Sequence, residues 1–118
     1  KIPNPPKIFN VNWFRTDDRG RFIWPGFGEN MRVLEWIMAR CFDEIGAVEE
    51  PIGYLPRPED IRLESSGVDV GTLRKLLTVD RELWKAECGD IRKFYEKFGD
   101  RLPRKLKEEL EALEAKLN

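Results

Sequence analysis

The chain has 118 residues, 41% of them hydrophobic and 36% charged, with a formal net charge of −1. That is about one domain's length, enough for a modest core, and the balanced charge exerts no general pull toward nucleic acid or anionic membrane. No apolar run approaches the ~18 residues that span a bilayer, no secretory leader pattern opens the sequence, and His is absent throughout.

Residues 1–6 are Pro-rich and predicted to be extended. Ile8, Val11 and Trp13 lie in a short β-prone run, and Phe22-Ile23-Trp24 form another. Between them Asp17-Asp18-Arg19-Gly20 is a turn signal, so a small β-hairpin is expected here. A Pro/Gly loop follows at 25–29. From Asn12 to Asn30 the chain packs three Phe and two Trp into 19 positions. Large aromatics around such a loop, just before a helix start with free backbone N–H groups, suit a planar polar ligand such as a nucleobase. The same residues also suit an aromatic mini-core under a tight loop.

A helix is predicted from about Asn30 to Phe42, with Val33, Leu34, Ile37, Met38 and Cys41 on one face. Trp36 falls on the polar side, one turn from Arg32 and Arg40, where it either covers neighbouring structure or packs on Arg side chains. Residues 44–68 read as loop, and a short helix is expected near Val70 to Leu77. A longer helix from Asp80 to Phe98 places Leu83, Trp84, Cys88, Ile91, Phe94, Tyr95 and Phe98 on one arc, weakened at Gly89 by about 1 kcal/mol relative to Ala. Pro103 suits a first helical position, and Leu106, Leu110, Leu113 and Leu117 stripe the last helix. The two helices are predicted to form an antiparallel hairpin, its stripe packed internally or offered to a partner. Cys41 and Cys88 fit helical apolar faces and need no disulfide.

Two long motifs narrow the reading. Trp24-Pro25-Gly26-Phe27-Gly28-Glu29-Asn30 is followed by Arg32-Val33-Leu34-Glu35-Trp36, and Pro51-Ile52-Gly53-Tyr54-Leu55-Pro56 comes later. With Pro6 to Arg15, they closely resemble the carboxy-terminal part of GTP-dependent phosphoenolpyruvate carboxykinase. The resemblance is strong over residues 6–40 and loose in the helical tail, and Met31 departs from it where a small residue is expected. The chain opens without Met, no G-x-x-x-x-G-K-[ST] phosphate loop is present, and the family is several times longer, so a fragment is expected.

The resemblance implies an α+β fold, a short β-hairpin with an aromatic loop followed by a mainly helical carboxy-terminal part, cut from a larger nucleotide-binding domain. Residues 1–30 would hold the strands and guanine loop, and residues 31–118 would be mainly helical. It implies an enzyme converting oxaloacetate and GTP to phosphoenolpyruvate, carbon dioxide and GDP, with Mn²⁺ or Mg²⁺ in the full-length protein and not on this fragment. Catalytic residues would lie upstream, and the fragment alone would be inactive.

Phe14, Phe22 and Phe27 match the aromatic positions around the base, and Asn30 matches the group that reads its edge. The residue-level alternative for Asn30 is a helix N-cap. Gly28 and Glu29 would contribute main-chain groups, Gly26 and Gly28 would let the backbone approach the base, and Trp24 and Pro25 would serve as pocket wall and loop stiffener. The acidic pairs Asp17-Asp18 and Glu49-Glu50 read as solvated surface. The expected partners are the upstream part of the same enzyme and small-molecule substrates, with no nucleic acid and no membrane, in the cytoplasm. The alternatives are a stand-alone nucleotide-binding module or a helical interaction module.

Overall fold

The computed structural model describes residues 2–118. The chain divides into two compact units: one runs through Val48 and resumes at Leu55–Leu77, and the other comprises Glu49–Tyr54 and Thr78–Asn118. Helices α1 (Asn30–Cys41) and α2 (Val70–Leu77) belong to the first unit, and α3 (Arg81–Glu96) and α4 (Arg104–Leu117) to the second. The only ladder among the described residues is the hairpin β1 (Val48–Glu50) and β2 (Gly53–Leu55). The α+β class is therefore as read from the sequence, but the hairpin lies in the stretch expected to be loop. Pro51-Ile52 leave only two residues to connect the strands, and Gly53 supplies a φ of 132°.

Where the sequence predicts a hairpin over residues 8–24, the chain makes one isolated antiparallel bridge, Thr16 to Phe22. The turn signal itself is correct. Asp17 N–H donates to Arg21 O at 2.8 Å, and Ile23 N–H to Arg15 O at 3.0 Å. The Asp17 carboxylate also accepts from Arg19 N, Arg21 N and both Arg21 Nε and Nη2. Asp17 is thus the organiser of this turn rather than a merely solvated acid. No ladder extends from it, because the flanking aromatics are drawn elsewhere: Trp24 is buried, and Phe9 and Trp13 pack against the buried cluster.

That cluster, Trp24, Trp36, Ile61 and Leu73, is the core of the first unit. Trp36, on the side that periodicity marks as polar, is only 5% exposed and covers neighbouring structure, the first of the two expected alternatives, meeting the Phe9 ring edge-on, centroids 6.1 Å apart. Helix α1 turns Val33, Trp36 and Ile37 inward, and Met31, Leu34, Met38 and Cys41 are exposed. An indole has the largest apolar area on this helix, so burying it outweighs burying the narrower aliphatic stripe. Arg15 ties the aromatic segment to α2: its Nη1 donates to the carbonyls of Lys75 and Leu76, each at 3.2 Å. A guanidinium there also complements the negative end of the helix dipole.

In the second unit, α3 and α4 close on Cys88, Leu110 and Leu117, with Trp84, Ile91, Tyr95 and Leu113 packed around them. Three members of the leucine stripe, Leu110, Leu113 and Leu117, are therefore taken up within the hairpin, and Leu106 remains exposed. Asp80 caps α3, its carboxylate accepting from Glu82 N at 3.0 Å and Leu83 N at 3.1 Å. Pro103 sits at the cap of α4 rather than its first helical position, a one-residue difference. The arc expected on α3 is wider than its buried face, for Leu83, Phe94 and Phe98 remain exposed.

Candidate functional site

The Asp17 turn fixes the spacing of Phe14 and Phe22. Their rings meet edge to face, centroids 5.9 Å apart at 62°, while 71% and 64% of the two residues stays open. Phe27 is more open still, at 94%, and its ring pairs with neither of the others. The first two phenylalanines are thus brought together, and the third stands on its own loop. A mini-core would bury these rings. In this chain they are exposed, and the buried cluster takes Trp24 and Trp36 with Ile61 and Leu73 instead.

The loop geometry explains the glycines unequally. Gly26 has φ of 93° and accepts the Glu29 N–H at 2.9 Å, closing the turn into α1. A Cβ would be strained there by conformation, though it would meet no atom within 4 Å. Gly28 needs no left-handed backbone and is equally open. Nothing in the folded chain itself requires glycine at position 28.

Glu29 is the cap residue of α1, but its side chain makes no capping bond. Its carboxylate pairs with the Arg32 guanidinium instead. Arg32 also donates to Arg62 O at 2.9 Å and Glu64 O at 2.7 Å, fastening the start of α1 to the 62–64 loop. Sequence reasoning missed this anchor, although the Glu29–Arg32 spacing of one helical turn is its visible signal. Gly28 and Glu29 line an open groove of about 660 Å³ with Met31, Arg32, Glu35, Met38, Arg62 and Glu64. Within it Arg62 bonds Glu35, and that hydrogen bond holds the Glu35 carboxyl below its ordinary range.

Asn30 is the first residue of α1 rather than its N-cap. Its Oδ1 accepts a hydrogen bond from the Trp24 indole Nε1 at 2.9 Å. The Asn30 amide N–H groups lie outside the helix's own bonding pattern, whereas in the first turn of α1 the Arg32 backbone N–H already donates to Glu29 O at 3.1 Å. Trp24 is buried in the core cluster and holds Asn30 through this bond. The segment from Phe14 to Asn30 therefore carries three exposed rings and the amide N–H groups of Asn30. Exposed rings and amide donors are groups suited to recognising a planar polar ligand. No group of three or more His, Cys, Asp or Glu among the described residues is placed to hold a metal ion. Cys41 and Cys88 are both free thiols, and no helix of the described residues is long and apolar enough to cross a membrane.

Comparison with known proteins follows the same line. Residues 1–116 match the model of the phosphoenolpyruvate carboxykinase C-terminal P-loop domain. The chain is 49% identical over 119 residues to phosphoenolpyruvate carboxykinase (GTP) of Treponema pallidum strain Nichols, covering 100% of this chain and 19% of that protein. It is 51% identical over 115 residues to the protein of that name from Chlamydia trachomatis serovar D, covering 95% of this chain and 19% of the relative. A relative of the same name from Neocallimastix frontalis is 50% identical over 113 residues, with 95% and 18% covered. The chain thus spans about a fifth of the length of the curated relatives it matches.

Proposed function

The chain belongs to the GTP-dependent phosphoenolpyruvate carboxykinase family, and we propose that its aromatic loop holds the guanine base of GTP in the full-length enzyme. The observation that carries this reading is the exposure of Phe14, Phe22 and Phe27 around the loop that opens α1. Folding has left three π faces in water although a core was available to take them. Stacking contributes about 1–3 kcal/mol per base in single-stranded nucleic-acid sites, which is a fair scale for one purine.

Stacking alone does not separate guanine from adenine, since both have π faces. Discrimination falls to Asn30 and to the backbone of Phe27, Gly28 and Glu29. Two details support main-chain roles for Gly28 and Glu29. The Glu29 carboxylate is engaged by Arg32, and Gly28 is open on the side where a Cβ would stand. Gly26 makes the turn that brings them there.

In this reading the full-length protein converts oxaloacetate and GTP to phosphoenolpyruvate, carbon dioxide and GDP. A divalent ion, Mn²⁺ or Mg²⁺, would supply charge neutralisation for the enolate and the phosphates. In this reading the chain binds and orients the base, and residues elsewhere in the protein hold the ion and do the chemistry. Its partner is then the remainder of the same enzyme.

The test compares the full-length enzyme with the isolated 118-residue chain. The chain is expected to form no phosphoenolpyruvate from oxaloacetate, GTP and Mn²⁺, and to bind GTP weakly, because phosphate contacts normally supply much of the affinity. The full-length enzyme is expected to favour GTP over ATP. Product formation by the pure chain, or tight phosphate-dependent GTP binding to it in calorimetry, would refute the division of labour.

A further inference from the structure

We infer that Trp24 is a positioning residue for base selection: its indole N–H locks the Asn30 carboxamide so that only N–H donors face the base. The inference rests on the guanine reading above and goes beyond it by fixing the sense of the hydrogen bond.

An indole nitrogen is a donor only, whereas a carboxamide carries an acceptor at one end and two donors at the other. The 2.9 Å bond from Trp24 Nε1 to Asn30 Oδ1 therefore determines which end is which. Trp24 is only 5% exposed and belongs to the core cluster with Trp36, Ile61 and Leu73. Its ring cannot turn away without disturbing that cluster. Flipping the Asn30 amide would place N–H against N–H and leave the indole donor unpaired away from water, which native structures avoid. The side chain of Asn30 is locked by something more rigid than itself.

With Oδ1 turned to the indole, Nδ2 is the end of the carboxamide directed away from Trp24 and left to meet a ligand. Guanine presents an acceptor, O6, at the position where adenine presents its 6-amino donor. A locked donor bonds the first and meets the second donor to donor. The selection is against the 6-amino group, and it is indifferent to the 2-amino group. Inosine triphosphate, which keeps the 6-oxygen and lacks the 2-amino group, separates the two effects.

The experiment uses the full-length enzyme and kcat/KM for GTP, ITP and ATP. Position 24 is varied as Trp24→Phe and, because a smaller ring in the core weakens folding, also as 3-benzothienylalanine, which keeps the indole shape without an N–H. Both are expected to lower the GTP-over-ATP ratio about five- to tenfold, the value of one hydrogen bond, with GTP over ITP unchanged within about twofold. Asn30→Asp is expected to lower GTP over ATP further than Asn30→Ala, since it turns an acceptor toward the base. If Asn30→Ala lowers the ratio while the benzothienyl enzyme keeps it, the positioning role is overturned and the guanine reading stands. If Asn30→Ala leaves GTP over ATP unchanged, Asn30 takes no part in selection and the inference falls, while the guanine reading is judged separately by GTP affinity in the Phe27 variants. If the position 24 variants lower GTP over ITP as much as GTP over ATP, Trp24 supports the loop only in general and the inference is wrong.

Discussion

Phe27→Ala in the full-length enzyme separates a ligand contact from a packing contact with one substitution. Phe27 is 94% exposed in this chain, so its truncation removes almost no area buried within residues 2–118, and a melting temperature shows whether the rest of the protein covers it. The cost of about 3–5 kcal/mol typical of a Phe lost from a core therefore does not apply within these residues. A surface change of this kind shifts stability by about 0.5 kcal/mol or less. If the ring stacks on guanine, the loss is about 1–3 kcal/mol of binding, which is roughly 5- to 150-fold in the GTP dissociation constant. Phe27→Leu keeps bulk without the π face and should fall between. Phe14→Ala is the informative contrast, since it also removes the edge contact with Phe22 at 5.9 Å, worth about 0.5–1.5 kcal/mol. It should lower both affinity and melting temperature. The assay is a direct GTP titration by calorimetry, paired with the melting temperature of the same sample, because KM equals the dissociation constant only when chemistry is slow. A collapsed melting temperature with an unchanged GTP constant would show that Phe27 is structural and that the ligand reading is wrong.

Three further expectations concern the scaffold. Asp80→Ala removes the cap bonds to Glu82 N and Leu83 N and should cost about 1 kcal/mol, read as a lower denaturation midpoint with unchanged slope; an unchanged midpoint would count against the cap. The Asp17 carboxyl is held below its ordinary value, first by the Arg21 backbone N–H and then by the Arg21 side chain. Its contribution is thus fully present above the unfolded value of about 3.9 and is lost as pH falls through the lower folded value. An NMR titration of its carboxyl carbon should show a midpoint under that of Asp17 in the denatured chain, and an equal midpoint would contradict the turn. Burial raises the Cys88 thiol while Cys41 is exposed, so a disulfide reagent should modify one thiol quickly in the native chain and both after denaturation. Equal rates in the native chain would be inconsistent with the α3–α4 packing.

Local signals determined much of this protein on their own. The helix limits near Asn30, Val70, Asp80 and Pro103 follow from caps, glycines and apolar spacing, which act within a turn or two. The α4 stripe at Leu110, Leu113 and Leu117 and the Asp17 turn were legible for the same reason. The family was legible because a run such as Trp24 to Asn30 is long and chemically unusual.

Tertiary structure decided what depends on a partner far along the chain. Trp36 sits where helical periodicity marks a polar face, yet Phe9 and Ile61 bring it a core, and α1 rotates to use it. The β-prone runs at 8–13 and 22–24 gave up a ladder because their aromatics were taken into that cluster or left in water. A strand pairing formed at 48–55 instead, where a two-residue link makes closure inexpensive in entropy. Asn30 looked equally able to cap a helix or to read a base, and only the buried indole six residues before it fixed the amide's direction. Hydrogen-bond polarity is a property of the pair, so a sequence can name both members without showing which atom of Asn30 faces the indole.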